Sequence, residues 1–260
     1  MSTHTVSGEH GSDQTPASTK AWRARAQGVL ALGFLAAIWL AVCIPRLPGP
    51  IDLRWDASAY YVLGTSLAEG KGYRLLNEPG EIEAIQYPPV LPLFVAAHEL
   101  ALGSADYLEV APRLRVSYFV LAGLYLFAAY AVVRGFLAPP LALVACVMTA
   151  LSFYGFVQPS DTLYAEMPFA LVSMLFFLCH RHGDRPAPTL ATGLLGAVAY
   201  LLRTAGIALL AAWVAESVFL RQYRRAAIRA SLAALPVLSW QVHIWRVTSS
   251  DEYRRPAYEY

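Results

Sequence analysis

The chain has 260 residues, of which 57% are hydrophobic and only 15% are charged. Soluble domains carry about 25% charged residues, so this composition argues against an ordinary soluble protein. The net charge is +2, and the basic residues lie in loops and at segment ends, which excludes a basic face for nucleic acid. The six histidines and three cysteines form no metal-site or disulfide pattern, and we expect no metal and no other cofactor.

The N-terminal segment, residues 1–26, is predicted to be a disordered cytoplasmic tail, because its first part is polar and has no periodicity. Residues 28–44 form the first predicted membrane span. Basic residues precede this span, and the positive-inside rule therefore places the N-terminus in the cytoplasm. No small-residue cleavage site follows the apolar run, which favours an uncleaved anchor over a signal peptide.

The first extracytoplasmic loop is predicted over residues 46–112. Asp56 begins a helix-like pattern in this loop, and two interpretations stand: an N-cap of that helix, or an exposed carboxylate that acts as a general base. Residues 87–103 are apolar but short and proline-rich, which favours a helix at the membrane surface over a span. Counting them as a span would also place the later arginine cluster, residues 221–229, outside.

Further spans are predicted in chain order, at residues 113–136, 139–157, 162–180 and 227–247, followed by an extracytoplasmic tail over 248–260. A single helix over residues 187–220 would be about 50 Å long, well beyond a hydrocarbon core of about 30 Å. We therefore expect two short spans that turn near "RTAG", residues 203–206. Together these segments predict an all-α, polytopic transmembrane helical bundle of about seven spans, within residues 27–247, with juxtamembrane helices in the first extracytoplasmic loop.

This topology collects several polar side chains on the extracytoplasmic side. Ionisable groups at membrane depth are costly and mark functional sites by default. Asp161 also fits an N-cap for the fourth span, and Arg203 also fits contact with lipid headgroups. Alternatively, the Arg203 guanidinium is a clamp for phosphate oxygens, which it binds in a bidentate manner. The side chains in question are Asp56, Tyr60, Tyr87, Asp161, Glu166 and Arg203.

Four segments, in this order, point to a known family: "WDASAYYVLGTSLAEGKGY", "YPPVLPLF", "SDTLYAEMPFAL" and "LLRTAGIALL". On these segments the chain resembles the polytopic C-type glycosyltransferases (GT-C fold). The resemblance is to the bacterial group related to dolichyl-phosphate-mannose-protein mannosyltransferases and aminoarabinose transferases, and it covers residues 52–210. The resemblance rests on the occurrence of all four motifs in the same order as in the family.

The resemblance implies an enzyme of the bacterial inner (plasma) membrane, with its active face extracytoplasmic. Such an enzyme transfers a sugar from a polyprenyl-phosphate donor to a lipid, glycan or protein acceptor. Asp56 holds the position of the catalytic base, and Arg203 the position near the donor phosphate. The substrate-binding residues implied or expected are Tyr60, Tyr87, Asp161, Glu166 and Arg203.

Two departures from the family are visible. Ala57 follows Asp56, where many relatives have a second acidic residue. Family members are also about twice as long, so we expect an N-terminal portion that needs a missing C-terminal half or a partner subunit. The alternative is a non-catalytic membrane protein, such as an inactive truncated relative or a lipid-carrier flippase subunit. A small-solute transporter ranks last, because the acidic residues lie at the membrane edge and no repeat is apparent.

Overall fold

The computed structural model describes residues 17–181, 186–250 and 253–254, and the fold is mostly helical, with 77% of residues in helices. The predicted all-α class is confirmed at this level, with one small antiparallel hairpin added in the first loop. The elements are α1 (Ala17–Cys43), α2 (Asp56–Ala68), β1 (Arg74–Leu75), β2 (Ile82–Glu83), α3 (Val90–Leu102), α4 (Tyr107–Val133), α5 (Pro139–Leu151), α6 (Gln158–Asp161), α7 (Glu166–Arg181), α8 (Pro186–Leu202), α9 (Ile207–Phe219) and α10 (Tyr223–Thr248).

Within the described part of the chain, two helices, α1 and α4, are long and apolar enough to cross a membrane, and a third crossing results if α5 and the bent segment after it count as one span. These are the helices of a membrane protein. The predicted count of seven spans is not confirmed. A crossing helix needs about 20 apolar residues. Helices α7, α8 and α9 have 16, 17 and 13 residues. Helix α10 has 26 residues, but it carries three arginines in its first seven residues and a fourth, Arg246, in its last turn.

The predicted third span, residues 139–157, is broken rather than straight. Helix α5 ends at Leu151, and the chain then bends by 80° into the segment Phe153–Asp161. Ser152 lies in an extended conformation, and its hydroxyl oxygen accepts a hydrogen bond from the backbone N–H of Gly155 at 3.1 Å. A serine side chain that bonds the backbone in this way stabilises a turn against a continuous helix.

The predicted break within residues 187–220 is confirmed. A short 3₁₀ turn, Thr204–Gly206, separates α8 from α9, and Arg203 before it has an extended backbone. The turn lies directly on the end of α8. A Cβ atom at Gly206 would lie 2.5 Å from the backbone carbon of Ala199 and 2.5 Å from the backbone nitrogen of Tyr200. Only glycine permits this approach, which fixes where Arg203 projects.

The first loop is a packed unit and not a loose connection. Helix α2 lies so close to α3 that a Cβ atom at Gly64 would be 2.5 Å from the Cβ atom of Val95. Buried residues of α2, α3 and α4 share one core, which includes Ala57, Leu91 and Tyr118. The segment 87–103, expected at the membrane surface, forms the 13-residue helix α3, which is too short to span a bilayer.

Backbone hydrogen bonds tie the first loop to the start of α7. The N–H of Asp52 donates to the carbonyl of Asp161 at 2.9 Å, and the N–H of Leu163 donates to the carbonyl of Asp52 at 3.0 Å. The Tyr118 hydroxyl on α4 donates to the carbonyl of Tyr164 at 2.7 Å. These contacts hold the first turn of α2 beside the segment that leads into α7.

The predicted tails are only partly covered. Helix α1 begins at Ala17, so residues 17–26 of the predicted disordered tail are helical, and residues 1–16 lie outside the described residues. Helix α10 ends at Thr248, close to the predicted boundary, and most of the predicted tail 248–260 also lies outside them.

Candidate functional site

Asp56 is the first residue of α2, and the N-cap position belongs to Trp55. The Trp55 side chain makes no capping hydrogen bond, and Asp56 lies inside the helix at its first position, so the interpretation of Asp56 as the N-cap is wrong. Trp55 has φ 54° and ψ −133°, a conformation that is uncommon for a bulky residue and costs energy to maintain. The sharp turn at Trp55 leaves the Asp56 carboxylate in the first helical turn, where the positive end of the helix dipole favours its charge.

A tyrosine network holds Asp56. The Tyr87 hydroxyl donates a hydrogen bond to Oδ1 of Asp56 at 3.1 Å, and the Tyr87 ring packs edge-on against Tyr60, with 4.8 Å between centroids. The Tyr87 carbonyl accepts a hydrogen bond from the Tyr73 hydroxyl at 2.7 Å. Both ends of Tyr87 are therefore engaged, and its hydroxyl orients one oxygen of the carboxylate.

Glu166 and Arg203 form the second half of the site. Glu166 begins α7, Arg203 follows α8, and Nη1 of Arg203 lies 2.5 Å from Oε1 of Glu166. Their side chains are 43% and 42% exposed, so solvent screens this ion pair and it contributes little to stability. Nη1 of Arg203 is the nitrogen within hydrogen-bond distance of Glu166. The rest of the guanidinium is therefore accessible to another anion.

The Tyr60 hydroxyl joins the two halves electrostatically. Burial raises the pKa of Tyr60 well above its usual range, and the charges of Glu166 and Asp56 raise it further, whereas Arg203 lowers it. Three charged groups from different elements therefore act on one buried hydroxyl. Direct contacts thus join Asp56, Tyr87 and Tyr60 in one group and Glu166 and Arg203 in another, and the charges of both groups act on the Tyr60 hydroxyl.

Asp161 has different neighbours. Its Oδ1 lies 3.1 Å from Nη2 of Arg115 and 3.7 Å from Nη1 of Arg46. Arg115 is buried, and its Nη1 also donates to the carbonyl of Arg46 at 2.5 Å. Asp161 ends α6, and α7 begins only at Glu166, so the expectation that Asp161 caps the fourth span is wrong. The Asp161 carboxylate therefore compensates the positive charge of buried Arg115.

A cavity beside the first turn of α2 was not found from the sequence. It has a volume of about 360 Å³ and is lined by Asp52, Arg54, Trp55, Phe153, Tyr154, Val157, Gln158, Asp161 and Thr162. Arg54 donates to Oδ2 of Asp52 at 2.7 Å. Burial raises the pKa of Asp52, but the hydrogen bonds from Arg54 outweigh it, and the net pKa is lowered. The cavity depends on the 80° bend after α5, which the apolar pattern did not reveal.

The comparisons with known proteins give no match, either to a family model, to a curated protein or to a solved structure. Among the described residues, no group of three or more His, Cys, Asp or Glu side chains is placed to hold a metal ion. The candidate functional site consists of the side chains around Asp56 and Arg203. They offer one oriented carboxylate, one accessible guanidinium and two tyrosine rings.

Proposed function

We propose that the chain is a membrane glycosyltransferase. The transfer would run from a polyprenyl-phosphate-linked sugar to a lipid, glycan or protein acceptor on the extracytoplasmic face of a bacterial inner membrane. The observation that supports this most directly is the pairing of two chemistries around Tyr60. A carboxylate oriented by Tyr87 suits proton removal, and a half-exposed arginine suits a phosphate.

In the proposed reaction, Asp56 acts as the base, and Arg203 stabilises the leaving phosphate. Asp56 accepts the proton of the acceptor hydroxyl, and the acceptor oxygen forms a bond to the anomeric carbon of the donor sugar. The bond between that carbon and the phosphate oxygen breaks, and the electron pair leaves with the lipid phosphate. Arg203 stabilises the charge that develops on the phosphate, and Glu166 orients the guanidinium. The Tyr87 ring, which is only partly buried, offers an apolar face against a sugar, and the buried Tyr60 ring packs against it.

The membrane arrangement is part of the same proposal. We infer a multi-pass protein in which short helices, α7 to α9, add crossings to those of α1 and α4. The membrane lipid would supply the donor laterally. A partner subunit would complete the substrate pocket, because much of the Glu166–Arg203 pair is open to solvent.

The test is transfer by the full chain in lipid nanodiscs, with a panel of polyprenyl-phosphate-linked hexoses and pentoses and an inner-membrane extract as acceptor and partner source. We expect Asp56→Asn to lower the transfer rate by at least about 100-fold, the ordinary contribution of a general base. Glu69→Gln, at the other end of α2, is the matched control and should retain full activity. Unchanged transfer by Asp56→Asn would refute the assigned base.

A non-catalytic membrane protein is the second candidate, and one observation favours it. Arg203 already has a partner in Glu166, and this pair alone accounts for both residues at the junction of α7 and α8. In that case, substitutions of Asp56 and Arg203 leave lipid-linked sugar pools unchanged in cells. Glycan-pool analysis of the Asp56→Asn strain, with the Glu69→Gln strain as control, separates the two functions.

A further inference from the structure

A second cavity lies away from the Asp56 site, between the β1–β2 hairpin and the end of α10. Its volume is about 530 Å³, within the range of about 300–1,000 Å³ typical of small-molecule sites. It shares no lining residue with the site around Asp56. The lining residues are Arg74, Pro79, Gly80, Ile82, Glu83, Arg246, Val247, Ser250, Tyr253 and Arg254. We call it the arginine cavity.

The walls of the arginine cavity are fixed by the fold. The hairpin pairs Arg74 with Glu83 in antiparallel register, and its tip closes with a backbone hydrogen bond from Glu81 to Glu78 at 3.0 Å. Beside the cavity, α10 is fastened to the hairpin, because Nε2 of His243 contacts the carbonyl of Ala84 at 3.0 Å. The ring of Tyr73, next to Arg74, packs edge-on against His243, with 5.9 Å between centroids.

The charge of the lining is strongly positive. Three arginines and one glutamate give three positive charges less one negative charge, a net charge of +2. Glu83 is already engaged, because its Oε1 lies 3.3 Å from Nη2 of Arg74. Arg246 and Arg254 have no hydrogen-bond or ion-pair partner within the described ranges 17–181, 186–250 and 253–254. Like charges focused in one concavity attract anions.

We propose that the arginine cavity binds a phosphate-bearing group. Guanidinium groups bind phosphate oxygens in a bidentate fork, and three of them around one cavity match the several oxygens of a phosphate or pyrophosphate. The Tyr253 phenol, also in the lining, is a further donor to such oxygens. The ligand is a membrane lipid headgroup or a free phosphate ester, which share this chemistry. This inference does not depend on the proposed transferase activity.

The experiment measures binding of inorganic pyrophosphate to the full chain by calorimetry in a neutral detergent. We expect the double substitution Arg246→Gln/Arg254→Gln to weaken binding by about 100-fold, because each of the two lost charged hydrogen bonds contributes about tenfold. As a control, Arg224→Gln removes one arginine charge at the opposite end of α10, outside the cavity, and should bind like the parent.

A variant that binds pyrophosphate more tightly distinguishes loss of the binding site from loss of the folded structure. Glu83→Gln removes the only acidic group in the described lining and frees Arg74, so pyrophosphate should bind several-fold more tightly. A variant that merely unfolds cannot show this result. No detectable pyrophosphate binding, or equal affinity in the parent and the double arginine variant, would overturn the proposal.

The source of the phosphate is decided by the same titration in nanodiscs. If phosphatidic acid in the bilayer weakens pyrophosphate binding relative to phosphatidylcholine alone, a lipid headgroup occupies the arginine cavity. If it does not, the natural ligand is a soluble phosphate ester. Both outcomes support a phosphate site, and neither depends on transfer activity at Asp56.

Discussion

Gly206→Ala tests the geometry that positions Arg203. The Cβ atom of the alanine would lie 2.5 Å from two backbone atoms of α8, in Ala199 and Tyr200, and 2.7 Å from the carbonyl oxygen of Ala199. Ordinary contacts of a Cβ atom begin near 3.4 Å. Because the neighbours are backbone atoms and not flexible side chains, the Thr204–Gly206 turn must move away from α8.

The cost follows from overpacking. Extra volume in a packed site destabilises by about 1–3 kcal/mol. For a chain of this size, each kcal/mol lowers the melting temperature by about 2–4 °C, so we expect a decrease of about 2–12 °C. The displaced turn also carries Arg203 away from Glu166, which should weaken any activity that uses the pair.

Buried cysteines provide the assay. Cys43 and Cys146 are each only 2% exposed, so a fluorogenic thiol reagent reports their exposure during heating. Gly33→Ala is the matched control, since nothing lies within 4 Å of a Cβ atom at that position of α1. It should melt at the parent temperature or slightly above it. A Gly206→Ala variant that melts with the parent would show that the turn does not pack on α8 as described.

Tyr87, Glu99 and Asp161 are each expected to affect activity or stability through their own side chain. Tyr87→Phe removes the donor to Asp56 and should lower transfer by about tenfold with little loss of stability, measured by parallel rate and melting assays. Burial raises the pKa of Glu99. The stabilising contribution of its neutral carboxyl is therefore complete below the unfolded pKa of about 4.3, and it is lost as the pH rises through the higher folded pKa. Glu99→Gln should abolish this pH-dependent loss of stability, measured in melting curves up to about pH 8. Asp161→Asn should lower stability by about 1–3 kcal/mol in thermal melts, because buried Arg115 loses its carboxylate; a melting temperature equal to the parent's would refute that role.

Composition and the spacing of charges determined the class of this protein. Apolar runs and their basic flanks indicated a helical membrane protein, and the length of residues 187–220 required the break found at Thr204–Gly206. The short helix α3 was also expected, because its segment is too short and too proline-rich for a span. These features depend on hydrophobicity and on the rise of a helix, which are local properties of the sequence.

Only the tertiary structure decided which side chains meet. Asp161 and Glu166 are five positions apart, yet one pairs with buried Arg115 and the other with Arg203. The bend of 80° after α5 and the backbone bridge between Asp52 and Thr162 direct them apart. Such contacts join residues that are distant in the chain, so the periodicity of the sequence does not predict them. The network of Tyr87, Tyr60 and Asp56 exists because α2 packs on α3, and that packing requires glycine at one position.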